Sequence, residues 1–236
     1  MRPKSSPSGQ KPKSFIEAAR RGQIVACAIE TIATLGYARA SLAEVAKRAG
    51  ISKSVISYHF AGKDELIREV VTEVYSLAIS LIVPRIQAAP DARGALRAYI
   101  EGHVAFFASH RQHVLALVEI VSGLPPEARD LSSHVAGVED ALPGLERILR
   151  RGQAEGQFGA FSPRVMALTI RSVLDALAPQ LRVYPDLDLE TYARELVELF
   201  DRATRGNADA RAEPPEATRP EAEEPGESPG GDHGTA

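Results

Sequence analysis

Between residues 41 and 63 the chain concentrates side chains that bind anions and read polar edges: Ser41, Ser52, Lys53, Ser54, Ser57, Tyr58, His59 and Lys63. Hydroxyls donate and accept hydrogen bonds and lysines carry a compact charge, so this set suits phosphate oxygens and base edges rather than bond breaking. A sparser set lies further on, where Tyr75, Tyr99, His103, Phe106, Phe107, His110, His113, Glu119, Arg171 and Asp175 interrupt otherwise apolar stretches. Small-molecule pockets are commonly lined this way. His103 and His110 share a helical face and His113 follows one turn later, a spacing compatible with a metal. With no cysteine or paired carboxylate nearby, the zinc ligand set stays incomplete. No metal, no cofactor and no catalytic residue are expected, because Walker loops, G-x-S-x-G elbows and H-E-x-x-H helices are all absent. An enzyme with His103 or Glu119 as base, and a helical binding module without DNA binding, are the rival readings.

The elements that must position these residues read as helices throughout. Apolar residues recur at helical spacing and no alternating strand pattern or repeat stands out, so the fold class is all-α. Ser14-Phe-Ile-Glu17 and Ser41-Leu-Ala-Glu44 both fit a capping box. The first is expected to open a helix from about Phe15 to Leu35, stopped by Gly36. The second opens a short helix ending at Gly50, after which Ser52 is expected to cap a third helix over Lys53 to Phe60 and Lys63-Asp-Glu a fourth. Further helices are expected over Ala92 to His110, Arg111 to Ser122, Pro143 to Glu155, Ser162 to Leu177 and Leu189 to Thr204, with Leu124-Pro125-Pro126 and Pro179 as breaks. Met166, Ile170, Val173, Leu174, Leu177 and Leu181 form an apolar stripe, and Tyr192, Leu196, Leu199 and Phe200 form another. Each stripe is either core or half of a four-helix interface between two copies.

Charge separates these parts. The 236 residues carry a formal charge of -3, but residues 1–63 hold 11 basic and 3 acidic side chains, residues 64–206 hold 15 and 20, and residues 207–236 hold 2 and 8. All six lysines fall in the first segment. A basic head on an acidic body points to a polyanion as the head's partner. The expected organisation is a disordered basic arm over 1–13, a polyanion-binding head domain over 14–75, a helical body over 76–206 and an acidic Pro/Gly-rich tail over 207–236. One cysteine, Cys27, cannot form an internal disulfide, and no apolar run approaches the roughly 18 residues of a membrane span. A cytoplasmic protein with no membrane partner is expected.

Two short helices joined by Ala49-Gly50-Ile51-Ser52 have the form of a helix-turn-helix. Leu42, Val45, Ala46, Ile51 and Val55 are apolar enough to form its small core. The run from Gly36-Tyr37 through Ser41-Leu-Ala-Glu-Val-Ala-Lys-Arg-Ala-Gly-Ile-Ser-Lys-Ser-Val-Ile-Ser-Tyr-His-Phe60 to Lys63-Asp-Glu-Leu66 resembles the N-terminal domain of tetracycline-repressor (TetR) type transcriptional regulators over about residues 15–75. The resemblance implies a homodimer, paired through its two C-terminal helices, whose two heads read a palindromic double-stranded DNA operator. The body then serves as sensor for a small-molecule effector, with Tyr99, His103, Phe106, Phe107, His110, Glu119, Arg171 and Asp175 as effector-binding candidates. Lys53 to His59 fall on the recognition helix, with Tyr58 and His59 at positions that meet phosphates or base edges, and Lys63 matches a lysine that contacts the DNA backbone. Ser57 departs from the pattern, since that position is very often Tyr. Repression relieved by the effector is expected, with ligand-responsive activation as the alternative. Arg2, Lys4, Lys11 and Lys13 are candidates for a minor-groove arm.

Overall fold

The computed structural model describes residues 10–125 and 141–206, with side chains described over 15–125 and 144–206. These all belong to the first of two units, Met1–Gly206, the second being Asn207–Ala236. Among the described residues there are nine helices and no strand: α1 (Gln10–Leu35), α2 (Leu42–Ala49), α3 (Lys53–His59), α4 (Lys63–Gln87), α5 (Ala92–Ser109), α6 (Arg111–Gly123), α7 (Ala141–Ala154), α8 (Pro163–Val183) and α9 (Leu189–Thr204). The expected all-α architecture is therefore observed. Arg2, Lys4 and the tail from residue 207 lie outside the described residues.

The helix ends follow local chemistry, with instructive departures. Gly36 has φ +83° and its N–H donates to the Ile32 carbonyl, closing α1 as a left-handed glycine can. Gly50, at φ +65°, ends α2, and the next N–H, from Ile51, reaches back to Ala46. The first helix does not start at the first capping box: α1 begins at Gln10, so Ser14 and the end of the expected 1–13 arm lie inside it. Pro12 permits this, because the first turn has no use for its missing N–H. Only half of the second box forms. Ser41 Oγ accepts from Glu44 N at 3.2 Å, but the Ser41 N–H donates to the Arg39 carbonyl rather than to Glu44. Ser52 occupies the N-cap position of α3 without a side-chain cap, its hydroxyl sharing a 2.7 Å hydrogen bond with Ser54 instead.

Pro179 does not break α8, which runs on to Val183. Interior proline removes one ladder bond, and the turn beyond it is held from outside. Leu181 is buried, and Arg111 of α6 donates to the carbonyls of Leu181 and Pro185.

Two cores organise these helices. The first joins α1 to α4 with α6 and the end of α8, through Ile24, Ile32, Ile56, Phe60, Val70, Ile120 and Leu181 among others. The second packs α5, α7, α8 and α9 around Ile100, Leu149, Ile170, Leu174 and Phe200. The N-terminal helices thus share their core with α6 of the body, so a displacement of α6 is felt by the head through close-packed side chains. Cys27 lies half-buried against the first core, and burial, then Glu30, raises its thiol pKa.

Candidate nucleic-acid interface and effector site

The α2–α3 unit is built on three inward side chains. Val45 and Ala46 of α2 and Ile56 of α3 are buried, with Phe60 closing the corner behind α3. This leaves Lys53, Ser54, Ser57 and Tyr58 exposed on the opposite face of α3, and His59 half-exposed at its end. Tyr58 is 73% exposed, its ring edge-on to His59 and its hydroxyl 3.3 Å from Glu17 Oε1 of α1. Such a face of hydroxyls, one ammonium and an aromatic phenol presents donors and acceptors outward from a rigid support, as readout of a DNA groove requires.

A residue absent from the sequence reading fixes this helix. Arg21 of α1 donates to the His59 carbonyl at the C-terminal end of α3, lies 4.2 Å over the Phe60 ring, and pairs with Glu69 at 3.2 Å and Glu65 at 3.6 Å on α4. One guanidinium therefore ties three helices together. No periodicity or motif marks it, because its partners lie 38 to 48 residues away.

Lys63, expected on the DNA backbone, turns inward. Its Nζ donates to the Tyr37 carbonyl at 2.6 Å and lies 4.2 Å from the centre of that ring. Burial lowers its pKa, opposed by neighbouring Asp64. Tyr37 in turn fills the space above Gly123 of α6, where a Cβ would lie 2.4 Å from the ring.

The eight effector candidates fall into three places. Tyr99 and His103 of α5 meet Arg171 and Asp175 of α8: His103 Nδ1 is 2.7 Å from the Tyr99 carbonyl, and Arg171 grips Asp175 at 2.9 and 3.0 Å. Burial, then Arg171, lowers the His103 pKa to about 4, so its ring is neutral at neutral pH. Phe106 stacks on His110 at 4.9 Å with Phe107 beside it, at the corner between α5 and α6. His113 meets His110 edge-on at 5.5 Å, its pKa lowered by burial and by His110 against the pull of Glu73. Glu119 stands apart, paired with Arg182 of α8 and with its carboxylate against Gly36. Tyr75 packs at the edge of the first core. A groove of about 640 Å³ opens between α5 and α9, lined by residues including Arg97, Glu101, Ala105, Ala193 and Arg194, and none of the eight candidates lines it. Among the described residues no group of three metal-ligating side chains comes together, and no helix is long and apolar enough to cross a membrane.

The apolar stripes divide likewise. Ile170, Leu174, Leu177 and Leu181 of α8 and Leu196 and Phe200 of α9 are buried as core. Exposed instead are Val165 (61%), Leu168 (43%) and Val183 (65%) on α8, Tyr184 just beyond it, and Leu199 (52%) on α9.

Comparison with known proteins places this arrangement. Residues 24–70 match the family described as bacterial regulatory proteins, tetR family, and residues 89–179 match the tetracyclin repressor-like C-terminal domain. The chain is 36% identical over 93 residues to the HTH-type transcriptional regulator BetI 1 of Chromohalobacter salexigens, covering 39% of this chain and 46% of that one. It is 32% identical over 93 residues to BetI of Stenotrophomonas maltophilia, covering 39% and 47%. The chain thus spans about half the length of the curated relatives it matches. Its fold is similar to the fatty acid degradation regulator FadR from Bacillus halodurans, with TM-score 0.68 and 20% identity over 78% of this chain and 99% of that one. It is similar also to FadR from Bacillus subtilis, solved in complex with stearoyl-CoA, with TM-score 0.66 and 21% identity over 75% and 96%. With a helix-turn-helix head and a helical body each matching its counterpart, over more than half of the sequence together, this chain belongs to the tetR family of transcriptional regulators.

Proposed function

We propose that the chain is a DNA-binding repressor that grips a palindromic operator as a homodimer and releases it when a small molecule binds the body. The observation that carries this reading is the outward face of α3, where Lys53, Ser54, Ser57 and Tyr58 stand exposed on a buried scaffold within the matched regulatory domain. Lys53 supplies phosphate affinity, and the hydroxyls of Ser54, Ser57 and Tyr58 supply register and base preference. Ser57, shorter than the Tyr common at its position, reaches a phosphate only if the helix sits closer to the groove.

The exposed apolar residues Val165 and Leu168 of α8 and Leu199 of α9 support pairing through these two helices. A two-fold axis there sets the two heads apart, and a match to one DNA turn requires about 34 to 36 Å between recognition helices. An effector shifts this spacing only by its differential affinity for two body arrangements. The contacts of α6 with the turn after α1, at Glu119 with Gly36 and at Gly123 with Tyr37, are the path by which such a change reaches the head. Retardation of the gene's own upstream DNA, steeply weakened by salt and relieved by one member of a metabolite panel, is the expected result. Absence of retardation at low salt refutes it.

A further inference from the structure

Tyr99 is 4% exposed, and its hydroxyl is the one buried side-chain polar atom without a hydrogen-bond partner among the described residues. A buried donor left unmatched destabilises a fold, so it calls for a partner that the protein itself does not supply. The surroundings define that partner. A carbonyl only accepts, so the contact between His103 Nδ1 and the Tyr99 carbonyl puts the ring hydrogen on Nδ1 and leaves Nε2 as a lone-pair acceptor. Arg171 is the donor that acts on the Tyr99 hydroxyl oxygen, by its charge and by an approach short of good hydrogen-bond geometry, while Asp175 holds the same guanidinium through Nε and one terminal nitrogen; the hydroxyl's own hydrogen finds no acceptor.

The cluster is formally neutral at neutral pH. Arg171 and Asp175 cancel, burial keeps the Tyr99 proton in place, and His103 is uncharged. The neighbours in the same core are aliphatic, including Ile100, Val104, Ile170 and Leu174. An anion entering here meets a guanidinium whose charge Asp175 already balances, and a cation meets Arg171. A neutral acceptor oxygen meets neither penalty.

Building on the effector-responsive reading above, we propose that the Tyr99 hydroxyl anchors the effector and selects an uncharged, largely apolar molecule with one accepting oxygen, such as a ketone, ester or lactone. The site is closed in this structure, so occupancy must part α5 from α8, which is the differential affinity that a population shift requires.

The test uses the full-length protein and three probes of one medium chain length: a methyl ketone, the carboxylate and the primary ammonium. Calorimetry is expected to show the ketone bound at least about tenfold more tightly than either ion. Tyr99→Phe is expected to weaken the ketone by about tenfold, the worth of one hydrogen bond, without lowering the melting temperature of the unliganded protein. The infrared carbonyl stretch of the bound ketone is expected to shift down in wild type and to return in Tyr99→Phe. Failure of the ketone to bind, preference for either ion, unchanged ketone affinity in Tyr99→Phe, or a melting temperature lowered by that substitution each overturns the proposal. Retardation of upstream DNA by the unliganded protein is scored separately. A protein that binds the ketone through Tyr99 but never retards DNA keeps this site and loses the repressor reading.

Discussion

The ammonium of Lys63, the first residue of α4, donates to the Tyr37 carbonyl at 2.6 Å while lying 4.2 Å over the ring of the same residue. Tyr37 belongs to the turn between α1 and α2, and its ring rests on Gly123 at the end of α6. One tyrosine therefore touches the start of the helix leading from the head and the end of a helix leading from the body. Lys63 is held on Tyr37 in this geometry, whereas Lys53 stands exposed on α3.

That distinction is measurable through salt. Each phosphate contact contributes about 0.9 to the slope of log affinity against log salt concentration. Lys53→Gln is expected to lower the slope of operator binding by about that amount per protomer. Lys63→Gln is expected to weaken binding while leaving the slope unchanged, because it loosens the Tyr37 turn rather than removing a phosphate partner. Equal reductions in both variants would place Lys63 on the DNA instead.

Gly123→Ala probes the other side of Tyr37. The added Cβ would lie 2.4 Å from the ring and 3.0 Å from the Tyr37 Cβ, so the side chain and its turn must move. Overpacking of this kind destabilises by about 1–3 kcal/mol. Urea denaturation is expected to show a lowered midpoint, and operator affinity is expected to fall although Gly123 belongs to the body. Unchanged affinity at full occupancy of the folded state counts against the α6 path.

Arg21→Ala is expected to remove the hydrogen bond to the His59 carbonyl, the contact over Phe60 and the pairing with Glu65 and Glu69. The ion pairs are partly exposed and worth little, so the loss comes chiefly from the carbonyl bond and the ring contact, about 1–2 kcal/mol together. Faster hydrogen exchange at the amides of α3 is the direct check.

His103 makes stability depend on pH. Its folded pKa of about 4 lies below the ordinary value of 6.5, owing to burial and then to Arg171. The unfolded chain therefore binds more protons between those values, and stability is full above about pH 6.5 and declines as pH falls toward 4. The decline amounts to about 3 kcal/mol at most. In His103→Asn, which retains a donor for the Tyr99 carbonyl, melting temperature is expected to lose this part of its pH dependence.

Two charges on the exposed apolar face test the pairing of copies. Val165→Glu with Leu168→Glu is expected to yield monomers in sedimentation and to abolish operator retardation, while the helical circular dichroism persists, because neither residue belongs to the buried core. A stable dimer in that variant moves the interface elsewhere.

The helix-turn-helix was legible because its determinants are local: the hydroxyl of Ser41, left-handed Gly50 and the apolar Val45 and Ala46 act within a few residues of each other, although on α3 the buried residue is Ile56 rather than the expected Val55. The same local logic misplaced the start of α1 at Ser14 and a break at Pro179, where upstream chain and the distant Arg111 outweighed short-range signals. Among the effector candidates, spacing on α5 brought Tyr99 to His103, while Glu119 went to Arg182 and Gly36.

By itself, then, the sequence determined the helical class, the reading motif and its positive charge, since periodicity, capping and charge are properties of neighbours along the chain. Only the tertiary structure decided that Lys63 faces Tyr37, that Arg21 locks α3 and that Tyr99 is left unpartnered beside Arg171. Each of those outcomes depends on which distant helix arrives opposite a side chain, and burial then sets whether its polar atom finds water, a partner or neither.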